Sequence, residues 1–226
     1  LNYARAEYAY SIKATCPKIN KRGYVNIVKG RHPLIDKNTV VPVSVELGKD
    51  YSFLLLSGAN TGGKTVTLKM TGLFCLMAEC GLFIPAAEGS EVCAFANVFC
   101  DVGDSQSIED SLSTFSSHMT AVSAICDGAD GDSLVLIDEL GGGTNPDEGQ
   151  AIARAVTEYL LACGAKGIIT THFTALKEFA YALGGIENAS MQFDSATLKP
   201  LYSIKIGLAG ASNALAVSRR LGMKPE

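Results

Sequence analysis

The segment Gly58-Ala-Asn-Thr-Gly-Gly-Lys64-Thr65 follows the apolar run YSFLLLS at 51–57 and leads into a stretch of helix formers. It fits the pattern G-x-x-x-x-G-K-[ST] between a strand and a helix, and that context admits few folds. A run with no polar face at its centre reads as a parallel strand buried on both sides. Glycines after such a strand let the backbone wrap round phosphate oxygens, with its N–H groups and the helix N-terminus aimed at negative charge. On this reading Gly58, Ala59, Asn60, Thr61, Gly62, Gly63, Lys64, Thr65 and Val66 hold a nucleotide. Lys64 reaches the β- and γ-phosphates, Thr65 offers a hydroxyl to Mg²⁺, and no other cation is expected near the loop.

The rest of the chain alternates in the same style. Strands are expected at 24–28, 41–47, 97–102, 134–138 and 167–172, and helices at 64–79, from about Ser113, and at 148–163 with Gly164 as the stop. MQFDS and LYSIKI, separated by SATLKP, predict an antiparallel pair, and a last helix is expected at about 213–221. Residues 1 to about 15 carry helix formers until Pro17. The fold class is therefore α/β, a mostly parallel sheet with helices on both faces plus an antiparallel β segment.

In LVLIDEL, Asp138 and Glu139 leave the end of a buried strand. Ligands of open α/β sheets sit outside the carboxyl ends of the strands, so these acids can meet the loop. Asp138 suits the Mg²⁺ shell, and Glu139 suits polarising the attacking water. His172 ends the next strand, in ITTH, where it can reach a γ-phosphate or that water.

Composition removes other classes. A net charge of −4 offers no broad phosphate-binding face for nucleic acid within these residues. No apolar run approaches the roughly 20 residues of a membrane span. The seven cysteines (Cys16, Cys75, Cys80, Cys93, Cys100, Cys126, Cys163) form no CxxC pair, so a reducing, cytoplasmic setting is expected and no zinc site is proposed. The chain starts at Leu1 and reads as a piece of a longer protein.

The order of glycine-rich loop, Gln106, serine-rich helix start at 111–117, acidic strand, GGGTNPDEG loop at 141–149 and ITTH is that of ABC-class P-loop NTPases. Within them the chain resembles the MutS family. GANTGGKT is similar to the family's phosphate loop, SLSTFSSHM to its signature, DELGGGTNP to its acidic strand and following loop, and TTH to its switch histidine; RHPLI at 31–35 and GLAGASNALAVSRRLG at 207–222 extend the match. DVGDSQSIEDSLSTFSSHM and GxxGxSNA are most similar to the second, endonuclease-type MutS subfamily.

The resemblance implies Mg²⁺-dependent ATP hydrolysis by a homodimer that sandwiches two nucleotides. It implies that Tyr202 stacks on adenine with Val40 or Val41 on the other face, that Gln106 contacts the nucleotide site, and that Ser113 acts in trans on the partner's γ-phosphate. It divides the chain into the tail of an upstream helical segment, 1–20, and an ATPase domain, 21–226. Members act on branched DNA, with a nuclease domain near the C-terminus, or on collided ribosomes. Asn145 departs from the acidic residue expected there. Three alternatives stand beside this reading: a mismatch-repair protein of the same family, a transporter's nucleotide-binding domain, which would carry LSGGQ where this chain has SLSTFSS, and a nucleotide-gated dimerisation module with little turnover, against which Glu139 argues.

Overall fold

The computed structural model describes residues 1–59, 62–103, 111–194, 197 and 199–208, with the backbone alone at 111–114 and 199. The expected helix at 213–221 lies outside the described residues. The chain is mixed α/β. In order it forms α1 (Asn2–Ser11), β1 (Lys18–Asn20), β2 (Val25–Gly30), β3 (Val43–Leu47), β4 (Phe53–Ser57), α2 (Lys64–Glu79), β5 (Glu91–Cys93), β6 (Asn97–Asp101), α3 (Ser111–Gly128), β7 (Ser133–Ile137), α4 (Pro146–Ala162), β8 (Lys166–Thr170), α5 (Thr174–Ala182), β9 (Ile186–Asp194) and β10 (Lys199–Ile206).

The larger sheet has the order β10-β9-β4-β8-β7-β6. Its five strands from β9 to β6 run parallel, since a helix carries the chain from β6 to β7, from β7 to β8 and from β8 to β9. β10 returns antiparallel along β9, as expected of MQFDS and LYSIKI. A smaller sheet, β1-β5-β2-β3, is mostly antiparallel.

The period of two along β4 sorts its side chains between two cores. Leu54 and Leu56, with Leu134, Leu136 and Ile168, pack against α2 and the small sheet. Phe53 and Leu55, with Val135, Ile137 and Ile169, pack against α3, α4 and α5. Helices therefore cover both faces, and β4 is buried throughout. None of the described helices is long and apolar enough to cross a membrane.

Several boundaries differ from expectation for local reasons. α1 stops at Ser11 because Lys13 adopts φ 52° and Thr15 then exchanges backbone hydrogen bonds with Ile84. α4 starts two residues before Glu148, since Asn145 accepts the Asp147 N–H at 2.9 Å and Pro146 takes the first helical position. β1, β5 and α5 were not expected. β5 is too short for periodicity to show, and Glu91 within it is buried against Arg22 at 2.9 Å and Lys18 at 3.7 Å.

The sheet leaves no room for a side chain at Gly167, paired to Phe53 on one side and Val135 on the other. A Cβ there would lie 2.2 Å from the Val135 carbonyl oxygen and 2.6 Å from the Phe53 ring. Gly167→Ala should therefore cost about 2–3 kcal/mol in urea unfolding, the scale of overpacking. Gly184→Ala, whose Cβ meets nothing within 4 Å, should change stability by less than about 0.5 kcal/mol. Equal costs for the two would contradict this packing.

Candidate functional site

The chain leaves β4 at Ser57 and turns at Gly58, φ 136°, into the glycine-rich loop. A Cβ at Gly58 would come within 3.0 Å of the Met191 Cβ, and one at Gly62 within 3.3 Å, so β9 supports the loop at positions where side chains do not fit. Gly63 caps α2 in the left-handed region at φ 93°. The Gly62 N–H donates to the Ala59 carbonyl at 2.9 Å, and the Lys64 ammonium donates across the loop to the Gly58 carbonyl at 2.7 Å. Burial pushes that ammonium below its usual range, while Glu139 and Asp138 pull it back and Lys177 of α5 lowers it further. Lys177 is a cation that sequence reasoning did not place near the loop.

Asp138 and Glu139 follow β7, two sheet positions from β4, or about 10 Å. The gap is bridged by hydroxyls. Thr65 Oγ1 donates to Asp138 Oδ2 at 2.5 Å, and Thr170 Oγ1, at the end of the intervening β8, donates to Asp138 Oδ1. The same Thr170 oxygen accepts the Glu139 N–H at 2.8 Å. Thr170 thus holds both acids, and sequence reasoning missed it. The available signal was a threonine closing the apolar run GIIT; the structure buries it fully beside the acidic strand. Glu139 sits at φ 52°, a conformation that costs a non-glycine residue about 1–3 kcal/mol and collects at functional sites.

Tyr202 is also at positive φ, 51°, where the pairing of β10 with β9 shifts register between Pro200 and Ile204. Its ring comes within 3.1 Å of a Cβ placed on Gly63. Tyr202, Val40, Val41 and Val66 line one cavity of about 340 Å³ with Gly63 and Thr65, within the usual range for small-molecule sites, about 300–1,000 Å³. Val41 is 42% exposed at its rim.

The remaining expected residues are more dispersed. His172 is exposed beyond the end of β8, with its ring centroid 4.5 Å from that of Phe173. Ser113 lies in the first turn of α3, whose neighbour β6 is three sheet positions from β4. Asn60, Thr61 and Gln106 lie outside the described residues. Asn145 caps α4, a task an aspartate performs equally well, so its departure from the expected acid leaves the local fold unchanged.

The donor set fits a hard divalent cation. Among the described residues no three His, Cys, Asp or Glu side chains gather into a metal cage. A hydroxyl and a carboxylate in contact are what Mg²⁺ takes from a protein when phosphate and water oxygens complete its octahedron.

Comparison with known proteins places this arrangement in a family. The model described as MutS domain V matches residues 54–226. Proteins named Endonuclease MutS2 are similar over 98% of this chain: 52% identical in Geobacillus sp. (strain WCH70), 55% in Clostridium botulinum (strain Loch Maree / Type A3) and 52% in Geobacillus kaustophilus (strain HTA426). The chain spans 28% of the length of these curated relatives. The match begins inside β4, takes in the loop, both acids and Tyr202, and extends through the chain, which therefore belongs to the MutS family and is of the MutS2 type.

Proposed function

We propose that this domain binds Mg·ATP at the Gly58–Thr65 loop and hydrolyses it as an ABC-class P-loop ATPase. The observation that carries this reading is the contact between the Thr65 hydroxyl and the Asp138 carboxylate, with Glu139 next in the chain. Bound Mg²⁺ supplies charge neutralisation on the phosphate oxygens. The loop N–H groups and the α2 N-terminus hold those oxygens, and Lys64 adds a compact positive charge. Glu139 accepts the proton of the attacking water, while Thr170 restrains its main chain. Tyr202 stacks on the base across the cavity from Val40 and Val41, and His172 acts at the γ-phosphate side.

The functional unit is a homodimer in which Ser113 serves the partner's nucleotide. The strand order favours a trans role, since α3 follows β6 at the far side of the sheet from β4. Residues 21–226 form the ATPase domain and α1 the tail of an upstream helical segment, while β1, within the expected 1–20 tail, joins the small sheet through β5. In the whole protein, opening and closing of the dimer drives action on branched DNA or on ribosomes. The relatives' name, endonuclease, favours DNA. With a net charge of −4, those contacts are assigned to other segments of the whole protein.

Phosphate release at saturating Mg·ATP tests the reaction. Lys64→Ala should lower turnover by about 100-fold or more, since that charge acts where negative charge develops. Glu139→Gln should retain ATP binding and lose turnover on a similar scale, because the amide cannot accept the proton. Parent rates in either variant would contradict the assignment.

Tyr202→Ala should weaken ATP by about 1–3 kcal/mol, the size of an aromatic–base stack, in a fluorescence titration. An unchanged affinity would make Tyr202 a packing residue.

Mixing Ser113→Ala with Glu139→Gln discriminates trans from cis. In a mixed dimer one site receives both lesions and the other is whole, so activity should recover to about half the parent value per mixed dimer. Rates that never exceed the weighted mean, where mixed dimers demonstrably form, would remove the trans role of Ser113.

A further inference from the structure

His118 lies on α3, five residues after Ser113, and its Nδ1 pairs with Oδ2 of Asp101, the last residue of β6. Both side chains are largely covered, 18% and 17% exposed. Its other ring nitrogen, Nε2, and Asp101 Oδ2 itself are both buried without a hydrogen bond of ordinary geometry among the described residues, so the Nδ1–Oδ2 approach is a close ion-pair contact. The ring is therefore oriented by Asp101, since among the described residues nothing polar holds its far side.

Asp101 has a second attachment. Its main-chain carbonyl accepts the N–H of Asp138 at 2.9 Å, one step past the β6–β7 register pair Asp101↔Ile137. Three links thus run from α3 to the carboxylate that meets Thr65: His118 to the Asp101 side chain, the Asp101 carbonyl to the Asp138 N–H, and Asp138 to Thr65. Thr170 fixes one carboxylate oxygen of Asp138 from β8; the Asp101 carbonyl fixes its main chain from the opposite side. An octahedral site at about 2.1 Å tolerates little displacement of a ligand.

We propose that His118 is a positioning residue for the Mg²⁺ site, holding Asp101 and through it the backbone of Asp138, so that the seating of α3 and metal affinity are linked. The inference rests on the Mg·ATP reading above. Because α3 also carries Ser113, the linkage joins the helix end offered to the partner's nucleotide with the metal ligand of the subunit's own, and it acts in both directions.

Mn²⁺ in place of Mg²⁺, with a non-hydrolysable β,γ-imido ATP analogue, reads the site by electron paramagnetic resonance without any turnover. His118→Leu keeps much of the ring's bulk and removes the nitrogen that meets Asp101. It should raise the Mn²⁺ concentration for half-saturation by about 3- to 10-fold, less than the 10- to 100-fold seen when a group in direct contact with a metal ligand is lost. Metal-free analogue affinity should stay within about two-fold. His118→Asn, which presents an N–H near the position of Nδ1, should restore the parent Mn²⁺ affinity to within about two-fold. Should His118→Leu fail to fold, Asp101→Asn, which keeps the main-chain carbonyl and weakens the side-chain pair, should shift Mn²⁺ affinity by about two- to three-fold. Parent-like Mn²⁺ affinity in the soluble His118→Leu or Asp101→Asn variant, or a His118→Asn variant as weak as His118→Leu, overturns the proposal while the Mg·ATP reading stands. A parent chain that takes up no Mn²⁺ with the analogue overturns both.

Discussion

Asp138 is the point on which the site depends. Its two carboxylate oxygens accept hydroxyls from Thr65, at the start of the helix after β4, and from Thr170, at the end of β8. Three consecutive strands of the sheet, β4, β8 and β7, are thereby tied at their carboxyl ends. A charged acceptor makes such hydrogen bonds about twice as strong as neutral ones, and their geometry holds only if the strands keep register. Toward the other end of β8 the same strands meet at Gly167, where the backbones and the Phe53 ring approach too closely for a side chain. The close-packed interior fixes the carboxylate, and under the proposed reading the carboxylate defines where a metal ion and a terminal phosphate would fit.

Backbone strain also appears at the places that serve this arrangement. Among the described residues four non-glycine positions have positive φ, and two of them are Glu139 and Tyr202. Glu139 is held there by its N–H bond to Thr170 and by the Gly142 N–H on its carbonyl at 2.8 Å. Tyr202 is held by the register shift in β10, which turns its ring onto Gly63 and the cavity beside α2. The two strained residues stand on opposite sides of the loop, one toward the acids and one toward the apolar cavity.

What the sequence disclosed follows from the range of the forces involved. The loop, β4, α2 and the two acids are local patterns, an apolar run or a glycine spacing, and α2 occupies the span expected of it, Lys64–Glu79. The return hairpin was equally legible from its alternation. Thr170, Asp101 and Lys177 were not, because each acts across the sheet or from a neighbouring helix, and such pairings depend on strand order. β5 carries three residues, too few to display a period, and α5 follows β8 so directly that no turn signal separates them. The cavity joins Val40, Tyr202 and the loop from three distant stretches, so only the family resemblance pointed to it beforehand.

The central claim is that the loop and Asp138 together hold Mg·ATP. A crystal structure of the chain with Mg²⁺ and a non-hydrolysable ATP analogue tests it most directly. The account predicts the metal about 2.1 Å from Thr65 Oγ1, beside Asp138, with the Lys64 ammonium moved from the Gly58 carbonyl onto the phosphates and the purine between Tyr202 and the Val40–Val41 segment. A nucleotide bound away from the Gly58–Thr65 loop, or a metal with neither Thr65 nor Asp138 in its surroundings, would contradict it.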